Sequence, residues 1–517
     1  MISYRKLAMR VLGHSPVSAP KTARRRSTAK RAAALALTAA LVVGMTLPAF
    51  ADTWFIENGD ISISAGTNGN NVTQNGTTTE NDTNTVIKGN GSSNASSNTV
   101  TIDAGEGKTV DVTLDNVNIN TSETGGAAVS VTGKGDTNIE LDGNNTLTSG
   151  YYHAGLEHNK TDDSGTLTIT DNNNDGKLTA NGGYKGAGIG GGNSGNGAVT
   201  ITGGDINANG GYKGAGIGGG YFGNGTVKIT DGDINANGGY KGAGIGGGNE
   251  KDGQVTITGG EIIANGGDGS AGIGGGYSGN GTVTISGGTV TEASGGGEGA
   301  GIGGGDSGNG TVNISGGTIT KASGGYYGAG IGGGSSGLGN VSIEGNVTIK
   351  NAQGGVGAAG IGGGARGTSD AAGNGNKISI KSTAAGSPNI TAKGGKASDD
   401  GLSGGAAIGS GSVVAGATEV KSDITIEGKV TINATGGGNV AIGDNIDGEK
   451  VFNGLAGGTN IKRTDSNGKD VTQDGDVVAE PEPEPRPEPE EPEKPAQPTV
   501  TPTGAETAEA PSTGSVE

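Results

Sequence analysis

The sixteen residues from Asp205 to Gly220, DINANGGYKGAGIGGG, recur letter for letter from Asp233 to Gly248, 28 residues further on. A chain that copies a segment of this size grows by adding like units, as solenoids, propellers and arrays do. With the isoleucine of A-G-I-G-G-G as phase marker, the copies fall at Ile189, Ile217, Ile245, Ile273, Ile302, Ile331 and Ile361, spaced 28, 28, 28, 29, 29 and 30 residues apart.

Between markers the template reads x-V-x-I, then G-G, then x-I-x-A, then an N-G-G or S-G-G turn. Val227 and Ile229 alternate with Thr226, Lys228 and Thr230, a period of two that turns the aliphatic residues inward and the polar ones outward. Each period therefore holds three short strands and three turns, and no helical periodicity. A propeller blade needs about 40 residues or more, and a leucine-rich repeat needs a leucine skeleton that is missing. The pattern predicts an all-β fold, a right-handed parallel β-helix of about 28 residues and three short strands per coil.

Glycine contributes 115 of 517 residues, but without a G-X-Y period, which excludes collagen. The glycines sit at fixed template positions, where turns are tight or coils lie close. The hydrophobic share is only 30%, yet those residues fall in register, so a narrow core can be filled. The net charge is -18, which argues against a nucleic-acid partner. Cysteine is lacking, so stability must come from the stack rather than from disulfides.

Residues 1–51 pair a basic region ending in Arg24, Arg25, Arg26, Lys30 and Arg31 with the apolar run Ala32 to Leu47 and Ala49-Phe50-Ala51. This is the pattern of a secretory signal peptide; the apolar run is short for a membrane span, and no span is expected in the mature chain. Residues 52–98, with one apolar strand from Trp54 to Ile63, are expected to form the N-terminal cap, since an open coil edge invites aggregation. The β-helix is expected over 99–445, with Ala407-Ile408 and Ala441-Ile442 as the last markers and a longer loop around Ser369 to Ser387. Residues 446–478 form the expected C-terminal cap. From 479 to 517 the chain is a Pro/Glu-rich disordered tail, an extended and self-repelling spacer.

With A-G-I-G-G-G at 187–192 and its copies, V-T-I-S-G-G-T at 283–289 and T-L-D-N-V-N-I at 113–119, the chain resembles the glycine-rich parallel β-helix surface proteins of Gram-positive bacteria of the carbohydrate-binding domain type. The resemblance covers about 99–445 and implies polysaccharide or host-glycan contact outside the cell, by a secreted or loosely wall-held monomer without turnover. Ala510 to Gly514, A-P-S-T-G, is similar to the LPxTG sorting motif but lacks its leucine, and only Ser515 to Glu517 follow. Release or non-covalent retention is expected.

Five tyrosines, Tyr151, Tyr184, Tyr212, Tyr240 and Tyr326, share the turn before the A-G-I position, with Lys185, Lys213 and Lys241 beside three of them; Tyr221 and Tyr277 occupy a second turn. Coils stack about 4.8 Å apart, so the first set should form a ladder of rings, the expected carbohydrate-binding platform. The alternative is that identical copies stack tyrosines for stability. Asp171, Asn173 and Asp175 in D-N-N-N-D-G fit the opening of a calcium loop. The twelfth position is Gly182 rather than Glu, and an Asx-rich turn uses the same residues. Calcium is the one cofactor this pattern suggests.

Asp205, Asp233 and Glu261 begin equivalent strands and form a weaker cation candidate. Asn181, Asn209, Asn237 and Asn265 align as a structural ladder. For catalysis, a polysaccharide lyase of this fold class needs a basic residue beside calcium-binding acids, and Arg366 near Asp370 is a thin match. His153, Glu157 and His158 offer metal-ligand types, but alternate residues point to opposite sides of a strand, and two histidines on one coil are expected at the surface. The T-x-T pairs of an ice-binding face are interrupted by Lys228, Asn313 and Glu344. No catalytic residue is expected. The second functional expectation is a structural stalk or spacer.

Overall fold

The computed structural model describes residues 53–367, 375–399, 401–413, 420–444, 448–452 and 455–479. The expected signal peptide over 1–51, Asp370, and the expected tail from Glu480 on with A-P-S-T-G lie outside the described residues. The rest is a parallel β-solenoid with three short strands per coil, each in register with its counterpart in the next coil.

The x-V-x-I strands make one sheet, in which Val199, Val227, Val255, Val283, Val312 and Val341 stand directly over one another. Val227 and Ile229 point inward and are buried, while Thr226 and Lys228 are exposed. The x-I-x-A strands make a second sheet, with Ile206 under Ile234 and Ala208 under Ala236. The glycine-rich strands make the third. They are only two residues long, yet they carry the phase isoleucine in one unbroken column from Ile189 through Ile361, Ile408 and Ile442. These isoleucines are fully buried, each stabilising by about 1.5–3 kcal/mol against an exposed state. Alternation thus sets which residues face in, and identical spacing makes like side chains stack.

The change of period from 28 to 29 has a local cause. Ile262 pairs with Val290, but Ile263 pairs with Glu292, so Thr291 is one extra residue, a bulge absorbed outside the core. Ala264 and Ala293 stay in register beyond it, and Ile273 still meets Ile302.

Three boundaries differ from expectation. The stretch expected as an N-terminal cap already carries rungs. Ile61–Ala65 pairs in parallel with Val100–Ala104, and Thr53–Phe55 with Thr85–Lys88. Its outer part is an antiparallel hairpin of Asn70–Gln74 and Thr77–Asp82, which covers the outer edge of the Ile61–Ala65 strand. Trp54 to Ile63 is not one strand, because Ile56–Asn58 forms a 3-10 turn ending at Gly59. The expected loop at Ser369 to Ser387 contains the strand Asn376–Lys381, in register with Gly339–Glu344; its K-I-S-I-K alternation supplies the inward Ile378 and Ile380.

At the other end, Thr459–Thr464 adds a further parallel rung and Val477–Val478 closes it antiparallel. Here Arg463 takes the place held by Ala434 one rung below. Its side chain is 0% exposed and pairs with Glu449 at 2.8 Å and Asp476 at 2.7 Å. The aliphatic column therefore ends in an ion-paired polar plug.

Candidate functional site

The tyrosine turn joins the x-I-x-A sheet to the glycine sheet. Backbone hydrogen bonds from Lys185 to Tyr151, Lys213 to Tyr184 and Lys241 to Tyr212 (N–H to O, 2.9, 3.2 and 3.2 Å) tie one coil's turn to the next. The rings follow the backbone. Tyr151, Tyr184, Tyr212 and Tyr240 stack with centroids 4.9, 4.9 and 5.0 Å apart and planes within 16°, close to the rung spacing itself. They remain 49%, 40%, 42% and 46% exposed.

Stacking along the axis has a chemical consequence. Each inner ring turns its two faces to its neighbours, so the solvent side presents ring edges and phenol hydroxyls. A planar ligand cannot lie flat on Tyr184 or Tyr212 as it would on an isolated ring; only their edges and hydroxyls are open to one.

The ladder holds four rings rather than five. The equivalent positions after Tyr240 are Asp268 and Gly297, and only then Tyr326. Tyr326 is exposed and stands edge-on to Tyr327, with centroids 4.6 Å apart. Tyr240 closes the series: its hydroxyl donates to Asp268, and that carboxylate holds the phenol above its usual range.

Beside the ladder, the lysines bridge to the second tyrosine turn. Tyr221 N–H bonds to the Lys185 carbonyl at 2.9 Å and Tyr277 N–H to the Lys241 carbonyl at 3.3 Å. This places the Lys213 ammonium 4.4 Å from the Tyr221 ring centre and Lys241 3.8 Å from Tyr277; Lys185 lies between Tyr152 and Tyr221 at 5.1 and 5.3 Å. The spacing of the motifs placed these residues in adjacent turns, but contact between the turns comes only from the fold. Further along the same edge the charge reverses. Glu298 lies near Asp306 and Asp268, and burial, followed by the Asp306 charge, raises its carboxyl above the ordinary range.

The other expected sites are built differently. Asp171 is turned to accept the Gly176 N–H at 3.2 Å, Asn173 bonds Asp142, and Asp175 is exposed. Among the described residues no group of three or more His, Cys, Asp and Glu is arranged to hold a metal ion. Asp205, Asp233 and Glu261 do form one column, with Lys177 at its head; Lys177 pairs with Asp205 at 2.6 Å. Asn181, Asn209, Asn237 and Asn265 form a continuous amide ladder, each bonded to the one below at 2.9–3.0 Å.

His153, Glu157 and His158 do not sit together at the surface. His158 stands over Val131, an inward position, and is 2% exposed with Nδ1 against the Ala198 carbonyl at 2.9 Å. Burial pushes its pKa below 6.5. Glu157 points the other way, accepting from Ala154 N–H and Asn159 Nδ2 and meeting His153 Nδ1, each at 3.0 Å. Both residues are buried because Glu-His replaces Gly-Gly after the phase marker. Arg366 packs 3.9 Å from the Tyr327 ring centre and donates to its hydroxyl at 2.7 Å. The outward column through Thr168 and Thr200 runs on through Lys228, Thr256, Thr284 and Asn313, so the threonine face is broken. Among the described residues no helix is long and apolar enough to cross a membrane.

A β-helix repeat family model matches six consecutive stretches, 173–193, 199–221, 227–249, 255–277, 283–306 and 312–335. Comparison with curated proteins and with solved structures gives no match. The six matched stretches coincide with successive coils of the parallel stack, and the chain is a parallel β-helix repeat protein.

Proposed function

We propose that the chain is an exported, non-catalytic solenoid that binds polysaccharide along the tyrosine and lysine strip. The observation that carries this is the line of four stacked, exposed tyrosines, Tyr151 to Tyr240, repeating at 4.9–5.0 Å. Large aromatic side chains left half-exposed in a row suit contact with a partner better than solvation. Their edges and hydroxyls match the mixture of C–H and O–H groups on a sugar. An extended glycan also repeats, so weak contacts at successive rungs add through effective concentration. The signal-peptide pattern of residues 1–51 and the resemblance to carbohydrate-binding surface solenoids support the same reading, with the protein secreted or held loosely at a cell wall.

A second reading, a stalk or spacer, is favoured by the same stacking, because rings in contact also stabilise coil against coil. A glycan array probed with the purified chain separates the two. Binding to at least one polysaccharide, lost when Tyr184, Tyr212 and Tyr240 become alanine, supports the first; no binding to any plant, host or bacterial glycan leaves the stalk.

A further inference from the structure

The lysine row points to the class of polysaccharide. Lys185, Lys213 and Lys241 lie one rung apart, and none has a carboxylate within ion-pair distance among the described residues. The chain carries a net charge of -18, and some of its lysines find acids, as Lys177 does with Asp205 and Lys321 with Glu292, both at 2.6 Å. The three are held instead by the rings of Tyr152, Tyr221 and Tyr277. A cation over a ring is positioned without being neutralised. Like charges one rung apart repel, so the row is a standing site for anions spaced along a polymer.

We propose that the strip takes an acidic polysaccharide, its recurring carboxylate, phosphate or sulfate groups seated on Lys185, Lys213 and Lys241 and its sugar hydroxyls on the edges of Tyr151, Tyr184, Tyr212 and Tyr240. This rests on the polysaccharide-binding reading. The footprint ends beyond Lys241, where Asp268, Glu298 and Asp306 make the same edge acidic and repel an anionic chain. Single-stranded nucleic acid fits less well, because its bases need open aromatic faces and the inner ladder rings have none.

The test uses the full chain and matched polymers: polygalacturonate against its fully methyl-esterified form, dextran sulfate against dextran, and oligothymidylate. The acidic member of at least one pair is expected to bind about ten-fold tighter or more than its neutral partner. That preference should weaken as salt rises and vanish in the variant Lys185→Gln, Lys213→Gln, Lys241→Gln, whose thermal unfolding stays that of the parent. Whichever pair discriminates names the anionic group. Equal binding of acidic and neutral members, or a preference that survives the triple substitution, overturns the proposal and leaves the broader polysaccharide reading standing. Binding to none of the polymers overturns it as well, and the glycan array then decides the broader reading. Oligothymidylate bound as tightly as the acidic glycans overturns the choice of sugar as partner.

Discussion

At the scale of single residues, inward and outward positions should respond very differently. Ile245 is fully buried between Ile217 and Ile273, so Ile245→Asp places a charge in the apolar column and is expected to cost several kcal/mol, on the order of an unpaired buried charge. Lys241→Ala, on the edge, is expected to be nearly silent in thermal unfolding; equal effects would contradict the assignment of faces. Gly246 has φ +134, and a Cβ there would lie 2.0 Å from the Gly274 carbonyl oxygen of the next coil. Gly246→Ala is therefore expected to destabilise by more than about 1 kcal/mol, read as a lowered melting temperature. Only a residue without a side chain lets these two coils stack.

His158 gives a pH dependence whose sign is fixed. Burial lowers its folded-state pKa below the ordinary 6.5, so between those two values the unfolded chain binds more protons. Its contribution is complete above about 6.5 and is lost as pH falls below that toward the folded value. His158→Asn keeps a donor near the Ala198 carbonyl but does not titrate. The parent should lose more melting temperature than this variant between neutral and mildly acidic pH, and parallel profiles would contradict a neutral buried imidazole. At the Asp171 turn, Gly176 N–H already occupies the first carboxylate and Asn173 is engaged by Asp142. Calcium at about 1 mM, enough for weak extracellular sites, is expected to leave the melting temperature unchanged; a clear rise would make that turn a metal site.

At the scale of elements, the terminal plug is where one substitution should matter most. Arg463 is buried against Glu449 and Asp476, and Arg463→Ala strands those carboxylates, at a cost of about 3–5 kcal/mol. Denaturant unfolding should show it. Arg463→Met with Glu449→Gln and Asp476→Asn should recover much of the loss, since an apolar plug suits the end of an aliphatic column.

The strands of the regular array were legible in the sequence because alternation and a fixed period are local properties. Ile189 to Ile361 fall in one column as their spacing implied. What was not legible depends on contacts between turns or on chain closure. Tyr326 shares a sequence position with the ladder, but Asp268 and Gly297 interrupt the stack. Lys213 meets Tyr221 across turns eight residues apart in sequence. His158 turns inward because it falls on Val131, a register set where the repeat is most degenerate. Arg463 sits in an alanine column that its own sequence does not announce.

For the whole molecule, each coil touches its neighbours and the apolar column is continuous, so stability is a sum of coil and interface contributions. The proposed binding strip is one line along this body. Its position follows from the repeat, and the stack that aligns its rings also holds the coils. Binding and stability must therefore be measured on the same variants. The decisive measurement is polysaccharide binding by the parent and by the variant Tyr184→Ala, Tyr212→Ala, Tyr240→Ala, with thermal unfolding followed in parallel. Binding by the parent and its loss in the variant, at roughly 1 kcal/mol or more per ring with the solenoid still folded, is the predicted result. A variant that melts lower yet binds as the parent does would contradict it and leave the tyrosine ladder a structural stack.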